Sequence, residues 1–190
     1  MRIGVVSDVH GNIAALEAAL GALDGRVDEV WCAGDIVHEY RFHSETVLRL
    51  RDAGVTAILG NHDHVLLSAA GAGARARPGV DEEALAWLAA LPYRHEATID
   101  GRRVLMVHGS PWEPYGNYLS GGNPKWREAP ELGVDVVVTG HTHDPFVERH
   151  GGTLVVNPGS LGEPRQRDRG HSYAVIDFAA HDAVIEMVIP

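Results

Sequence analysis

Two histidines placed one residue apart follow directly on an apolar run in the second half of the sequence. The segment VDVVVTGHTH, residues 134–143, ends in His141 and His143. In an extended backbone, side chains at positions i and i+2 point to the same side, so these two imidazoles can aim at one point. Ligands of open α/β sheets bind beyond the carboxyl ends of the strands. The segment therefore predicts a binding site at a strand tip.

The other apolar runs end in similar polar tips. Six such runs are present: Ile3–Val6, Val30–Cys32, Val55–Leu59, Val104–Val107, Val134–Val138 and Leu154–Val156. Every tip carries glycine, and five of the six carry Asp, Asn or His side chains that can bind metal. These tips supply seven candidate ligands: Asp8, His10, Asp35, Asn61, His108, His141 and His143. If the two oxygens of the Asp35 carboxylate bridge two ions, the seven side chains form two sets of four.

The charge of this ligand set predicts the chemistry of the site. Two divalent ions bring four positive charges, whereas Asp8 and Asp35 return two negative ones when the histidines are neutral. A site for storing cations would use more carboxylates, so this one favours a bridging hydroxide and a phosphate. Mixed imidazole and oxygen donors without sulfur suit Mn, Fe, Zn, Ni or Co, and we expect manganese to support activity best.

His62 follows Asn61 directly and is the candidate general acid. If the backbone is extended here, the two side chains diverge, and Asn61 faces metal while His62 faces the substrate. Histidine titrates near neutral pH, so His62 can protonate the leaving oxygen. The alternatives are a further metal ligand or an ordinary loop histidine.

Helical and strand patterns alternate in the first half of the chain. Three segments predict helices that begin at a capping residue, namely Asn12–Leu23, Ser44–Gly54 and Asp81–Leu91. In the second half, Asp100–Gly101 and Gly151–Gly152 indicate hairpins, and the segment SYAVIDFAAHDAVIEMVI indicates a terminal one. The sequence predicts one α/β layered domain over residues 1–190, with mixed sheets.

Composition narrows the class of protein. The net charge is −10, with a single lysine among 16 basic residues, which argues against a general nucleic-acid coat. The one cysteine, Cys32, excludes a disulfide framework and a thiolate cluster. We expect a cytoplasmic protein without a signal peptide or a membrane span.

The polar tips together resemble the motifs of the calcineurin-like metallophosphoesterase superfamily. The matching segments run in order from Asp8 to Ser160 and are SDVHGN, GDIVHEY, GNHD, HGSP, GHTH and NPGS. The chain is most similar to the compact bacterial and archaeal phosphodiesterase branch. The resemblance implies two facing mixed sheets flanked by helices, and His62 as proton donor. It also implies two metal sites, one formed by Asp8, His10, Asp35 and His143 and the other by Asp35, Asn61, His108 and His141.

One motif departs from the family pattern. His38 stands where some relatives carry an aspartate that orients the catalytic histidine. Asp63 is one candidate for that orienting role, and Arg165 is either a phosphate clamp or a solvated side chain. Four further residues are candidates for shaping a substrate pocket: His38, Glu39, His43 and His64.

These observations favour a dinuclear metal-dependent phosphoesterase over two alternatives. We expect a phosphodiesterase that uses a metal-bridging hydroxide as nucleophile and acts on a small phosphodiester or nucleotide. A nuclease is a weaker alternative, with Trp112, Tyr115, Tyr118 and Trp126 as candidate base-stacking residues. The other alternative is a non-catalytic scaffold, which the seven intact ligand positions disfavour.

Overall fold

A computed structural model describes residues 1–113, 115, 117–165 and 170–190. Within them, ten strands form two five-stranded sheets. The first sheet has the order β10-β9-β1-β2-β3, in which β1, β2 and β3 run parallel and the β9–β10 hairpin joins antiparallel to β1. Its strands are β1 Arg2–Val6, β2 Glu29–Cys32, β3 Thr56–Ala57, β9 His171–Asp177 and β10 Asp182–Val188.

The second sheet has the order β4-β5-β6-β8-β7. Its centre is parallel, from β5 through β6 to β8, and an antiparallel strand flanks each side. Its strands are β4 Arg94–Ile99, β5 Arg102–Val107, β6 Val136–Val138, β7 Phe146–His150 and β8 Thr153–Asn157. The hairpin predicted at Asp100–Gly101 is present, and both turn residues have positive φ, as a two-residue hairpin turn requires.

Five α-helices and two 3-10 helices connect the strands in the described part of the chain. They are α1 Ile13–Leu23, α2 Ser44–Asp52, α3 Asn61–Leu67, α4 Ala72–Arg75, α5 Glu82–Ala90 and the 3-10 helices Ala69–Gly71 and Pro124–Leu132. Asn12 caps α1 and Asp81 caps α5 through their side chains, as predicted. The prediction for Ser44 is wrong: it is the first residue of α2, and its hydroxyl instead accepts from the Asp81 amide and donates to the Gly79 carbonyl.

Three apolar layers stabilise this arrangement. The layer between the sheets contains Ile3, Trp31, Met106, Val138 and Ile176, contributed by both sheets. A second layer packs the helices α1, α2 and α5 on the outer face of the first sheet. A third covers the outer face of the second sheet with the 3-10 helix Pro124–Leu132. The predicted class, two facing mixed sheets flanked by helices, is therefore confirmed.

Two further features of the fold are the short strand β3 and the length and polarity of the helices. The run Val55–Leu59 forms only the two-residue strand β3, so the chain leaves the sheet early and turns into α3. Among the described residues, every helix is too short or too polar to cross a lipid bilayer.

Candidate metal centre

The polar tips of strands from both sheets meet in one place. They include two groups of three side chains each. Within each group, the candidate ligand atoms lie within 4.8 Å of one another. The first group is Asp8, His10 and His143, and the second is Asp35, His108 and His141. The two groups agree with the two sets that the family resemblance implied.

Asp35 lies between these groups. Its Oδ2 atom is 3.2 Å from Nε2 of His108 in the second group and 3.9 Å from Nε2 of His10 in the first. Asn61 joins the second group, because its side-chain oxygen lies 3.0 Å from Nε2 of His108. Asp35, a member of the second group, therefore also comes near the first group.

The first group is held by contacts to the Asp8 carboxylate. Nε2 of His143 lies 3.1 Å from Oδ1 of Asp8 and 3.3 Å from Nε2 of His10. The backbone N–H of His141 donates to Oδ2 of Asp8 at 3.0 Å, and the Ser7 hydroxyl donates to the same oxygen at 2.6 Å. One carboxylate therefore positions both histidines of the GHTH segment.

The backbone at these tips is left-handed rather than extended, so the explanation based on alternate residues is wrong. Within the described part of the chain, seven non-glycine residues have positive φ, and five of them are candidate ligands. These five are Asp8 (51°), His10 (46°), Asp35 (52°), His141 (66°) and His143 (56°). This conformation costs roughly 1–2 kcal/mol per residue, and such strain clusters at functional sites.

Backbone carbonyls fix the orientation of two of the imidazoles. Nδ1 of His108 donates to the carbonyl of Ala33 at 2.8 Å, and Nδ1 of His143 donates to the carbonyl of Glu163 at 2.6 Å. The Nε2 atom of each ring is thereby turned toward the carboxylates. This is the arrangement that orients histidines as metal ligands.

The NPGS segment supports the site without supplying a candidate ligand, a role that the sequence analysis did not predict. The Asn157 amide donates to the carbonyl of Gly140 at 2.7 Å and to the hydroxyl of Thr142 at 3.1 Å. The Ser160 hydroxyl donates to the carbonyl of Asp8 at 2.8 Å. The sixth strand tip therefore fastens the loops that carry the first group.

The buried charges divide the histidines into two kinds. Burial alone would lower the pKa of His108, but the Asp35 carboxylate raises it to about 10. Burial and the neighbouring His108 lower the pKa of His141 to about 4. Burial alone would raise the pKa of Asp35, but His108 and the other imidazoles hold it below its usual value. Without metal at neutral pH, His108 is a cation beside Asp35, and His141 is neutral.

The residues present fit divalent transition-metal ions. Nε2 of His141 and Nδ1 of His10 are buried and have no hydrogen-bond partner. An orphaned imidazole nitrogen in a buried site carries a desolvation cost that a metal ion would relieve. Imidazole, carboxylate and amide oxygen donors together are the set that such ions prefer.

His62 lies at the edge of the two groups but not on an extended backbone. Gly60 precedes α3 as its N-cap, so Asn61 and His62 are the first two residues of that helix and diverge by helical rotation instead. The backbone N–H of His62 donates to Oδ1 of Asp35 at 2.8 Å, and its Nε2 lies 3.9 Å from Oδ2.

Glu39, not Asp63, contacts the His62 side chain. The Glu39 carboxylate contacts Nδ1 of His62. Asp63 is fully buried and accepts from the backbone amides of Ile36, Val37 and Gly60, so it braces the start of α3. No sequence signal indicated the Glu39 contact, because it depends on the turn that follows β2.

A pocket of about 240 Å³ opens over the site. Its lining consists of Asp35, His62, Tyr118, His141, Thr142, His143 and Arg165. The Tyr118 ring stacks on His141 with centroids 3.8 Å apart and is 63% exposed. Arg165 thus belongs to the pocket lining. Trp126, one of the four candidate stacking residues, is instead buried in the core.

The remaining candidate pocket residues do not belong to the pocket lining. His38 lies 3.3 Å from the Glu163 carboxylate through its Nε2. The His43 ring lies 6.1 Å from that of His38, and burial together with Arg41 lowers the pKa of His43 to about 4. The His64 ring stacks on Tyr115 at 5.1 Å.

Comparisons with known proteins give the chain its family. Residues 1–181 match the calcineurin-like phosphoesterase superfamily domain. An uncharacterized protein of Methanocaldococcus jannaschii is 31% identical over 213 aligned positions, which cover 98% of this chain and 86% of that protein. A metallophosphoesterase of Sphaerobacter thermophilus has a crystal structure with a TM-score of 0.79 and 31% identity, covering 100% of this chain and 89% of that one.

A third relative has a named activity. The symmetrical bis(5′-nucleosyl)-tetraphosphatase of Paracidovorax citrulli is 35% identical over 122 residues, which cover 57% of this chain and 44% of that protein. The family match over nearly the whole length, and the fold shared with a metallophosphoesterase, agree with the site geometry. The chain belongs to the calcineurin-like phosphoesterase superfamily.

Proposed function

We propose that this protein is a dinuclear metal-dependent phosphodiesterase with His62 as its general acid. The observation that carries the proposal is the convergence of the seven predicted side chains. Six of them form the two groups, Asn61 contacts His108 of the second group, and His62 lies beside Asp35. Asp8, His10, Asp35 and His143 would hold one ion. Asp35, Asn61, His108 and His141 would hold the other.

Bound divalent ions supply positive charge for phosphate oxygens and lower the pKa of water to about 7, which provides a hydroxide nucleophile at neutral pH. The protein's own residues prepare the site for this chemistry. His141 is neutral before any ion binds, and the carbonyls of Ala33 and Glu163 hold the imidazoles of His108 and His143 in position. Manganese is the ion we expect to support activity best, since the donor set contains no sulfur.

His62 is placed to donate a proton to the leaving oxygen. Its side chain lines the pocket, and Glu39 contacts its Nδ1 atom, which leaves Nε2 directed toward the site. A carboxylate on one nitrogen orients the ring, as in other histidine–carboxylate pairs. His62 would therefore act on the leaving group rather than on the ions.

The pocket favours a small diester over a long polymer. Arg165 can bind a phosphate oxygen, and the exposed Tyr118 ring offers a flat surface to a second ester group such as a nucleoside. The named activity of the P. citrulli relative, on a dinucleoside polyphosphate, is consistent with a nucleotide substrate. The net charge of −10 disfavours strong binding of duplex nucleic acid.

A substrate panel tests the proposed activity. We would assay the metal-free protein, reloaded with Mn²⁺, on a chromogenic phosphodiester, the matching monoester, a dinucleoside tetraphosphate and single-stranded DNA. The proposal expects turnover of the chromogenic diester, and of the dinucleoside tetraphosphate at a phosphoanhydride bond, above that of the monoester, with little cleavage of DNA. Well-folded protein that cleaves none of them with any divalent ion would contradict it, and preferred cleavage of DNA would favour the nuclease alternative.

Metal binding at pH 7 is expected to release at least about one proton, because His108 is protonated beside Asp35 until an ion replaces its proton. The measurement is isothermal titration calorimetry of Mn²⁺ binding in buffers with different ionisation enthalpies. The observed heat should change with the buffer, and the affinity should rise with pH. A heat that is independent of the buffer would contradict the assigned charge of His108.

Replacement of Gly60 by alanine is expected to weaken metal binding by about 10–100-fold, the range seen when ligand-orienting contacts are lost. A Cβ atom at Gly60 would overlap the carboxylate and the amide of Asp35. The φ of −96° at Gly60 suits alanine, so the effect comes from this overlap and not from backbone strain. The measurement is the dissociation constant for Mn²⁺.

Gly21→Ala is the matched control for this prediction. Gly21 lies within α1, and a Cβ atom there meets nothing within 4 Å. This substitution should leave metal affinity unchanged and raise stability by about 0.5–1 kcal/mol through helix propensity. If the Gly60→Ala variant binds Mn²⁺ as tightly as the wild type does, the close approach of Gly60 to Asp35 is not needed for metal binding, and the prediction is contradicted.

A further inference from the structure

A third group of histidines lies beside the proposed ion pair. One ring nitrogen each of His10, His38 and His62 lies within 4.8 Å of the others. The His10 ring centroid is 4.8 Å from those of both His38 and His62, which are themselves 5.8 Å apart. His38 takes part in neither of the two groups assigned to the ion pair.

We propose that His10, His38 and His62 form a third cation site for a borderline transition-metal ion such as Zn²⁺, and that an ion there blocks the proton donor. Neutral imidazole is a preferred ligand of Zn²⁺ and of its neighbours in the transition series. The binding part of this proposal is independent of the proposed function. The inhibitory part rests on it, because it requires His62 to act as general acid.

The side chains can close around an ion with modest movement. Two nitrogens bound tetrahedrally at about 2.0–2.1 Å from Zn²⁺ lie roughly 3.4 Å apart, so the present separations must shorten by at most about 1.5 Å. The side chains of His38 and His62 are 37% and 26% exposed, respectively, and can rotate without disturbing the core. Closure around an ion therefore calls for movement of these two exposed side chains.

Carboxylates at the rim complete the donor set. Oε1 of Glu163 lies 3.3 Å from Nε2 of His38, and the Glu39 carboxylate contacts Nδ1 of His62. Glu163 can provide the fourth ligand, while Glu39 stays on Nδ1 of His62 and compensates part of the charge of the added ion. Three nitrogens and one oxygen match the tetrahedral coordination that Zn²⁺ adopts in proteins.

Because of His10, we expect the third site to bind its ion more weakly than the two sites of the ion pair bind theirs. The His10 side chain is 1% exposed and contacts His143 through Nε2, while its Nδ1 atom is buried without a hydrogen-bond partner. A third ion that binds beside the pair must use that second nitrogen, so the His10 ring gives up its N–H proton to the solvent and binds as an imidazolate. We therefore expect the third site to fill only after the pair.

Metal stoichiometry tests the binding part. The metal-free full-length protein would be dialysed against increasing Zn²⁺, and bound ions would be counted by elemental analysis. We expect three ions per wild-type chain at high Zn²⁺, two for His38→Gln, and three for the control His64→Gln, whose ring stacks on Tyr115 outside the group. Equal numbers of bound ions in the wild type and His38→Gln would overturn the proposal, and His38→Asn repeats the test with a shorter side chain.

Enzyme inhibition tests the second part. Zn²⁺ added beyond the amount that fills the pair should inhibit the wild type, and the inhibitory concentration should rise at least about tenfold in His38→Gln. Inhibition that is unchanged in His38→Gln would overturn the blocking role. If three ions bind but no substrate is turned over, the proposed function fails and the site stands. If turnover occurs and only two ions bind, the site fails and the proposed function stands.

Discussion

Replacement of Asp35 by asparagine is expected to abolish binding of the ion pair and to lower kcat/KM by at least about 10³-fold, because metal ions supply several kcal/mol of transition-state stabilisation. The Asp35 carboxylate reaches both groups, with Oδ2 at 3.2 Å from Nε2 of His108 and 3.9 Å from Nε2 of His10. Asparagine keeps the oxygen that accepts from the backbone N–H of His62 but lacks the charge and the second oxygen donor.

Metal content and activity should be measured on the same preparation of Asp35→Asn. Asp144→Asn is the matched control, since Asp144 follows the GHTH segment directly but belongs to neither group. We expect the control to keep two ions and its activity. Two tightly bound ions in Asp35→Asn would mean that Asp35 is not the bridge, and the division of ligands would have to be revised.

Replacement of His62 by glutamine is expected to lower kcat by about 10²–10⁴-fold while both ions remain bound. The side chain of His62 lines the pocket and is not needed to complete either four-ligand set. The loss should depend on the leaving group. An alcohol that is a poor leaving group needs protonation, whereas an acidic phenol leaves without it, so the chromogenic substrate should show a smaller loss.

The dependence on leaving group separates proton donation from a structural role for His62. His64→Gln serves as control, because His64 lies on the same helix, two residues further on, and stacks on Tyr115. A uniform loss for all leaving groups would contradict the role of general acid. The role would also be contradicted if His62→Gln failed to bind two ions at a metal concentration that saturates both sites of the wild type.

Much of the fold and the membership of the site follow from patterns that are local in the sequence. Apolar runs followed by glycine and polar residues predicted the strand tips, and the caps at Asn12 and Asp81 and the turn at Asp100–Gly101 predicted element boundaries. The carboxyl ends of parallel strands meet at one edge, so side chains distant in sequence could be placed together. This reasoning brought together all seven candidate ligands.

The local geometry of the tips could not be predicted from the same patterns. Left-handed backbone at Asp8 and His141 is unfavourable in isolation and persists because long-range contacts hold it, such as the bond from the His141 amide to the Asp8 carboxylate. Similarly, the contact of Glu39 with His62 joins residues 23 positions apart through an irregular turn. Neither feature has a periodic signal in the sequence.

The most direct test of a dinuclear centre is an anomalous difference map from crystals soaked in Mn²⁺. The proposed centre predicts two peaks about 3.5–4 Å apart, one on each side of the Asp35 carboxylate. Asp8, His10 and His143 should surround one peak, and Asn61, His108 and His141 the other. A single peak, no peak at Asp35, or ions bound away from these side chains would contradict the assignment.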